Sequence, residues 1–122
     1  GGTVDKERPE SVFDSQDLLL RMMNDRDLVR KVLEAFLQDV PRQFEALRRH
    51  LADNDVSGSE RQAHSIKGAA ANIGAGELRQ LATTLEQAAR TGDLVTVRDG
   101  LPELERRRER LQTALVKFLE EI

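Results

Sequence analysis

The sequence contains no cysteine, no tryptophan and no tyrosine, and it has only four phenylalanines. Without cysteine the chain has no disulfide framework, no thiolate metal site and no thiol nucleophile. With so few aromatic rings, a site that stacks bases or sugars on aromatic side chains is not expected. No apolar run approaches the roughly 20 residues that span a bilayer, and no signal peptide is visible. We therefore expect a soluble, cytoplasmic domain that makes no membrane contact.

Charged side chains are abundant, but their signs nearly cancel. Lysine and arginine together number 19 and aspartate and glutamate 22, which gives a net charge of −3. A nucleic-acid-binding domain would show a basic stripe or patch, so nucleic acid is not expected as a partner. One basic run, RRRER at residues 106–110, is interpreted as a solvated helix face, with an acidic patch on a partner as the alternative.

Apolar residues recur at spacings of three and four along four long segments, and no segment alternates with a period of two. These segments are residues 29–51, 63–73, 78–89 and 94–122. Residues 14–23 predict a shorter helix before them. At 122 residues the chain fits one domain with a modest core. The pattern predicts an all-α fold, an antiparallel four-helix bundle with a short extra N-terminal helix.

Three features refine this organisation. Residues 1–12 are polar and aperiodic, so we expect a linker or a cloning-derived tail there and a domain over residues 13–122. Pro41 and the DGLP segment at residues 99–102 lie inside predicted helices and are expected to kink them. Asp93, after a glycine at position 92, is expected to cap the last helix.

The stretch AHSIKGAAANIG at residues 63–74 has an unusual outer face. At 100° per residue, the residues that share this face with His64 are Lys67, Gly68, Ala71 and, if the helix continues that far, Ala75. Glycine inside a helix costs roughly 0.5–1 kcal/mol relative to alanine. An outward-facing glycine therefore indicates close approach by another backbone, from a neighbouring helix of the bundle or from a separate protein.

The chemistry of this face follows from its histidine. An exposed neutral imidazole has a nucleophilic ring nitrogen that can accept a phosphoryl group. Lys67, one turn further along, can supply a cation, and a charge-assisted hydrogen bond contributes about 1.5–3 kcal/mol. The sequence has no Gly-rich phosphate loop and no nucleotide-pocket signature. Such an acceptor would depend on partners both to donate and to receive the group, and it would be a carrier without its own ATP site.

HSIKGAAANIG resembles the signature of histidine-containing phosphotransfer (Hpt) domains, roughly H-x-x-K-G-small-small-x-x-x-G. The flanking segments LVRKVLEAFLQDVPRQFEAL and ELRQLATTLEQAARTGD are also similar to that family, including the mid-helix proline. The resemblance covers about residues 14–122.

This resemblance implies a helical bundle that relays phosphoryl groups between receiver-domain aspartates in multistep two-component phosphorelays. It implies that His64 is phosphorylated, usually on the ring nitrogen farther from the backbone, and that Lys67 supports the phosphoryl group. Gly68 would let the receiver approach, with Ala71 and Ala75 as further docking surface, and Gly74 would end the helix. It also implies a monomer without a cofactor of its own, because the Mg²⁺ belongs to the receiver domain.

Family members often carry a glutamine or similar residue on the next helix, hydrogen-bonded to the other nitrogen of the histidine. The matching position here is Glu86, with Arg90 one turn later. A carboxylate at this position would orient the ring and raise its basicity. The alternative for Glu86 is an ordinary solvated helix residue.

Three functional interpretations stay open at this stage. The favoured one is the C-terminal Hpt domain of a hybrid sensor histidine kinase, with response-regulator receiver domains as partners. The second is the N-terminal phosphotransfer domain of a chemotaxis-type kinase, which carries a similar HSIKG string. The third is a helical bundle that binds partners without phosphorylation of His64. A metal site is not expected, since the two histidines, His50 and His64, lie on different predicted helices.

Overall fold

The computed structural model describes residues 9–122, and within that range the chain forms helices and no strand. The helices are α1 (Pro9–Val12), α2 (Ser15–Arg21), α3 (Arg26–Ala52), α4 (Val56–Ile73), α5 (Gly76–Arg90) and α6 (Leu94–Glu121). Neighbouring long helices pack in chain order, α3 on α4, α4 on α5 and α5 on α6, and α6 closes the bundle against α3. The predicted four-helix bundle with a short N-terminal helix is confirmed. None of these helices is long and apolar enough to cross a membrane.

Aspartates begin four of the helices. The N-cap residues of α2, α3, α4 and α6 are Asp14, Asp25, Asp55 and Asp93, and each side chain accepts a hydrogen bond from the backbone N–H three residues later. Each carboxylate satisfies one otherwise unpaired N–H and places negative charge at the positive end of a helix dipole. Local sequence therefore determines where these helices start.

The buried core follows the predicted stripes. In α3 the buried residues are Val29, Leu33, Phe36, Val40, Phe44, Leu47 and Leu51. In α4 they include Ala63, Ile66, Ala70 and Ile73, four residues that lie on the side of the helix opposite His64. Since this inner side of α4 is fixed between α3 and α5, its outer side is left free for a functional face.

Proline does not end either long helix. Both α3 and α6 continue through their internal prolines, Pro41 and Pro102, as single helices. Near the second proline, Gly100 has a packing role, because a Cβ placed there would come within 2.7 Å of Leu85 Cδ2. A side chain at position 100 would therefore displace the end of the Leu85 side chain between α5 and α6.

The structure differs from expectation at residues 9–12, which were expected to belong to a linker. They form the helical turn α1, which contacts α5 and α6, and Val12 packs against the core. The next residue, Phe13, is buried with its ring edge-on to Phe118 at a centroid distance of 5.4 Å. Val12 and Phe13, two adjacent apolar residues, therefore anchor the helical turn α1 to the core. Residues 1–8, including the glycines at positions 1 and 2, lie outside the described residues.

The basic run at residues 106–110 is paired within the molecule. Arg106 and Arg107 contact the carboxylate of Glu103 at 2.9 and 3.0 Å. Arg110 contacts Glu77 at 3.2 Å, and Arg108 lies over the ring of Phe44, 4.7 Å from its centroid. The Glu103 contacts lie within α6, whereas Arg110 joins α6 to α5 and Arg108 joins it to α3. The run is therefore a structural feature of the bundle.

Candidate functional site

The site lies where α4 and α5 run side by side. Gly74 and Ala75 separate the two helices, and Gly74 adopts a left-handed conformation with φ +81°. Glycine populates this region without steric cost, so the chain reverses in a tight turn after Ile73. The two helices then pack closely, which brings the middle of α4 opposite the middle of α5.

His64 and Glu86 meet across this interface. The imidazole is on the outer side of α4 with 65% of its side chain exposed, while the Glu86 side chain is 4% exposed. Nδ1 of His64 lies 2.8 Å from Oε2 of Glu86. An ionised carboxylate can only accept, so Nδ1 carries the proton and donates. In the neutral ring the lone pair is then on Nε2, the nitrogen that Glu86 does not contact.

Glu86 accepts contacts from two cations as well. Lys67 Nζ lies 2.8 Å from Oε1, and a terminal nitrogen of Arg90 lies 3.3 Å from Oε2. Burial by itself raises the pKa of the Glu86 carboxyl, but hydrogen bonds and charge from Lys67 and His64 outweigh burial and hold the pKa below its ordinary value of 4.5. Glu86 is therefore ionised at neutral pH.

Small residues surround His64 on the outer face of α4. Gly68 and Ala71 are exposed. Among residues 9–122, and apart from the backbone of α4 itself, no atom lies within 4 Å of a Cβ built on Gly68, so none of the described neighbouring helices requires glycine there. The close approach indicated by this glycine is not internal to the domain. The imidazole consequently stands beside an open strip on which another protein surface can lie.

The family model described as Hpt domain matches residues 31–115, a segment that includes both α4 and α5. The chain belongs to the Hpt domain family. Family membership assigns it a phosphotransfer role in two-component phosphorelays. Among curated protein sequences there is no significant match.

Two solved structures share the fold of this Hpt domain. Histidine-containing phosphotransfer protein B from Pseudomonas aeruginosa PAO1 superposes with a TM-score of 0.85 at 23% identity, covering 91% of this chain and 96% of that one. The Hpt domain of a sensor hybrid histidine kinase from Shewanella gives a TM-score of 0.79 at 18% identity, covering 93% and 97%. At these identities the likeness concerns the fold.

Ala75 is not part of the open face of this Hpt domain. The prediction that it shares the outer surface with His64 is wrong, because Ala75 is fully buried. The helical extrapolation at 100° per residue fails because α4 ends at Ile73 and Gly74 redirects the chain. Ala75 becomes the N-cap residue of α5 instead.

Glu60 is a site neighbour that the sequence did not reveal. Its carboxylate lies 3.0 Å from Nε of Arg90, the same arginine that contacts Glu86. Glu60 precedes His64 by four residues on α4, so the two share a helix face. The spacing alone could have placed Glu60 beside His64. Its pairing with Arg90 depends on the register of α5 against α4, which cannot be predicted from the sequence.

The second histidine lies apart from this site. His50 Nδ1 is 3.2 Å from Oδ2 of Asp55, at the turn between α3 and α4. Across residues 9–122, no group of three or more His, Asp or Glu side chains is arranged to hold a metal ion.

Proposed function

We propose that this Hpt domain accepts a phosphoryl group on Nε2 of His64 from a receiver-domain aspartate and passes it to the aspartate of another receiver. The observation that supports this most directly is the hydrogen bond between Nδ1 of His64 and buried Glu86. This hydrogen bond occupies Nδ1 and leaves the lone pair of the neutral ring on Nε2. The exposed position of the imidazole makes that lone pair reachable by a partner.

In the accepting step, Nε2 attacks the phosphorus atom of the receiver's acyl phosphate. A P–N bond forms while the P–O bond to the aspartate breaks, and the electron pair of that bond leaves with the aspartate carboxylate. Nδ1 keeps its proton, so the phosphorylated ring is an imidazolium whose positive charge faces Glu86. In the donating step a carboxylate oxygen of the next receiver's aspartate attacks phosphorus. A P–O bond forms while the P–N bond breaks, the electron pair of the P–N bond returns to Nε2, and the ring becomes neutral again.

Lys67 is the proposed support of the phosphoryl group. Its ammonium lies one turn after His64 on the same helix and is partly exposed, with Nζ on Glu86. A phosphoryl group brings about two negative charges at neutral pH, and a lysine within reach can donate to its oxygens. Because Lys67 has three donor hydrogens, it can contact the phosphoryl group without abandoning Glu86.

Gly68 and Ala71 are the proposed docking strip for the receiver. Both are exposed, and Gly68 leaves open space where a side chain would stand. The aspartyl phosphate of a receiver must come within bonding distance of Nε2, which a bulky neighbour of His64 would obstruct. The Mg²⁺ used in transfer belongs to the receiver's aspartate site.

We further propose that the domain acts in the cytoplasm as a monomer and is part of a hybrid sensor histidine kinase. The fold match to the Hpt domain of such a kinase from Shewanella supports the hybrid-kinase part of this proposal.

The test is phosphoryl transfer from a panel of receivers phosphorylated with acetyl phosphate. We expect acid-labile, alkali-stable label on the wild type, none on His64→Gln, and undiminished label on the matched variant His50→Gln. If neither a receiver nor a chemotaxis-type kinase with ATP labels the folded wild type, the domain is a binding module. If only a chemotaxis-type kinase with ATP labels it, the domain is the N-terminal phosphotransfer domain of such a kinase.

A further inference from the structure

We propose that Glu60 is a positioning residue that competes with the phosphoryl group for Arg90 and thereby keeps phosphorylated His64 a ready donor. This inference rests on the proposed function, since it concerns the state in which His64 carries a phosphoryl group.

Arg90 contacts two carboxylates, one on α4 and one on α5. Its Nε donates to Oε2 of Glu60 at 3.0 Å, and a terminal nitrogen donates to Oε2 of Glu86 at 3.3 Å. That same oxygen of Glu86 accepts the hydrogen bond from His64. The guanidinium therefore shares an acceptor oxygen with the imidazole, while its Nε is held by Glu60, one turn before His64 on α4.

The charges of the unphosphorylated site cancel. Glu60 and Glu86 carry two negative charges, and Lys67 and Arg90 carry two positive ones. Phosphorylation adds about two negative charges to an imidazole that becomes a cation, so the site then has an excess of negative charge. Besides Lys67, the exposed side chain of Arg90 is a second nearby cation that could offset this excess, and Glu60 holds it back.

The pairing of Glu60 with Arg90 is expected to weaken the hold of the site on the phosphoryl group. With Glu60 ionised, the phosphoryl group shares Arg90 with a carboxylate and is less strongly held. With glutamine in place of Glu60, Arg90 is free to donate to the phosphoryl oxygens and the phosphohistidine is stabilised. Coupling between partly exposed charges is modest, so we expect the phosphoryl-exchange equilibrium to shift by about two- to five-fold.

The experiment measures the equilibrium ratio of phosphorylated Hpt domain to phosphorylated receiver at low salt. We expect Glu60→Gln to raise this ratio about two- to five-fold, and the gain to shrink at high ionic strength because salt screens exposed charges. In an Arg90→Gln background the gain is expected to disappear. Glu105→Gln is the matched control, since Glu105 has the same side-chain exposure of 33% and pairs with Arg48 elsewhere on the bundle.

An unchanged ratio in Glu60→Gln would overturn the inference, and so would an equal gain with and without Arg90. A purely structural role would lower the thermal midpoint and leave the ratio as it is. Failure of the proposed function is a different result, because the wild type would then carry no label on His64.

Discussion

Glu86 accepts a hydrogen bond from Nδ1 of His64 at 2.8 Å, across the interface of two helices and between residues 22 positions apart. The carboxylate is buried while the imidazole is mostly exposed. The two residues therefore have different roles in the site. Glu86 fixes the proton and the orientation of the ring, and His64 presents the remaining nitrogen to solvent.

Replacement of Glu86 by glutamine is expected to slow phosphoryl acceptance by His64 about ten-fold. A neutral amide makes a weaker hydrogen bond than a carboxylate, by roughly 1–1.5 kcal/mol, and it offers no charge to offset the imidazolium. Single-turnover labelling measures the rate, and ¹⁵N NMR of the imidazole reports which nitrogen is protonated. Glu105→Gln serves as the control. Equal rates and an unaltered tautomer in Glu86→Gln would refute the role assigned to Glu86.

Glu86 is also expected to make stability depend on pH in the acid range. Its pKa is lower in the folded protein than its ordinary value of 4.5, so the unfolded chain binds the proton more readily. The stabilisation is fully present above pH 4.5 and is lost as the pH falls through the folded pKa.

Urea unfolding of the wild type and Glu86→Gln from pH 7 to pH 3 measures this effect. The gap between their unfolding free energies is expected to narrow as the pH falls below 4.5. Asp55, Asp93 and Glu103 also have lowered pKa values, so both proteins lose stability in acid and only the gap is diagnostic. A gap that stays constant down to pH 3 would contradict the prediction.

Much of the fold could be predicted from local sequence. A period of 3.6 residues marks each long helix and its buried side, and aspartates mark the starts of helices. The turn Pro9–Val12 was missed because four residues contain no periodic signal. Its neighbour Phe13 is buried against Phe118, a contact between distant parts of the chain that local patterns do not encode.

The candidate site was only partly predictable, for related reasons. His64, Lys67 and Gly68 share one helix face, so spacing within α4 brings them together. Glu86 was predicted from the family resemblance. The contact between Arg90 and Glu60 was predicted neither from helix spacing nor from the resemblance, because it depends on the register of α5 against α4. Ala75 was misplaced because a constant angle per residue was carried across the turn at Gly74.

Ser59 offers a test of the packing of α4. Its side chain is fully buried, and within the described residues its hydroxyl oxygen has no hydrogen-bond partner. A buried unpaired hydroxyl costs about 1–3 kcal/mol, so Ser59→Ala is expected to raise the unfolding free energy by about 1 kcal/mol or more. An exposed serine in the middle of the same helix provides the control, since Ser65→Ala should gain only the propensity difference of about 0.5 kcal/mol. Destabilisation by Ser59→Ala would mean that the hydroxyl is paired.

Replacement of Gly68 by alanine is expected to change stability and phosphoryl transfer in opposite directions. A Cβ at this position meets no atom of another described element within 4 Å, so Gly68→Ala is expected to stabilise the helix by about 0.5–1 kcal/mol. If the receiver backbone docks here, the same methyl group obstructs it, and kcat/KM for transfer should fall about ten-fold, equivalent to about 1.4 kcal/mol. Gly92→Ala is the opposite case, because φ is +83° at Gly92 and alanine is strained there. That variant should lose stability and keep its transfer rate, whereas a Gly68→Ala domain that transfers at the wild-type rate would show that no partner needs the space.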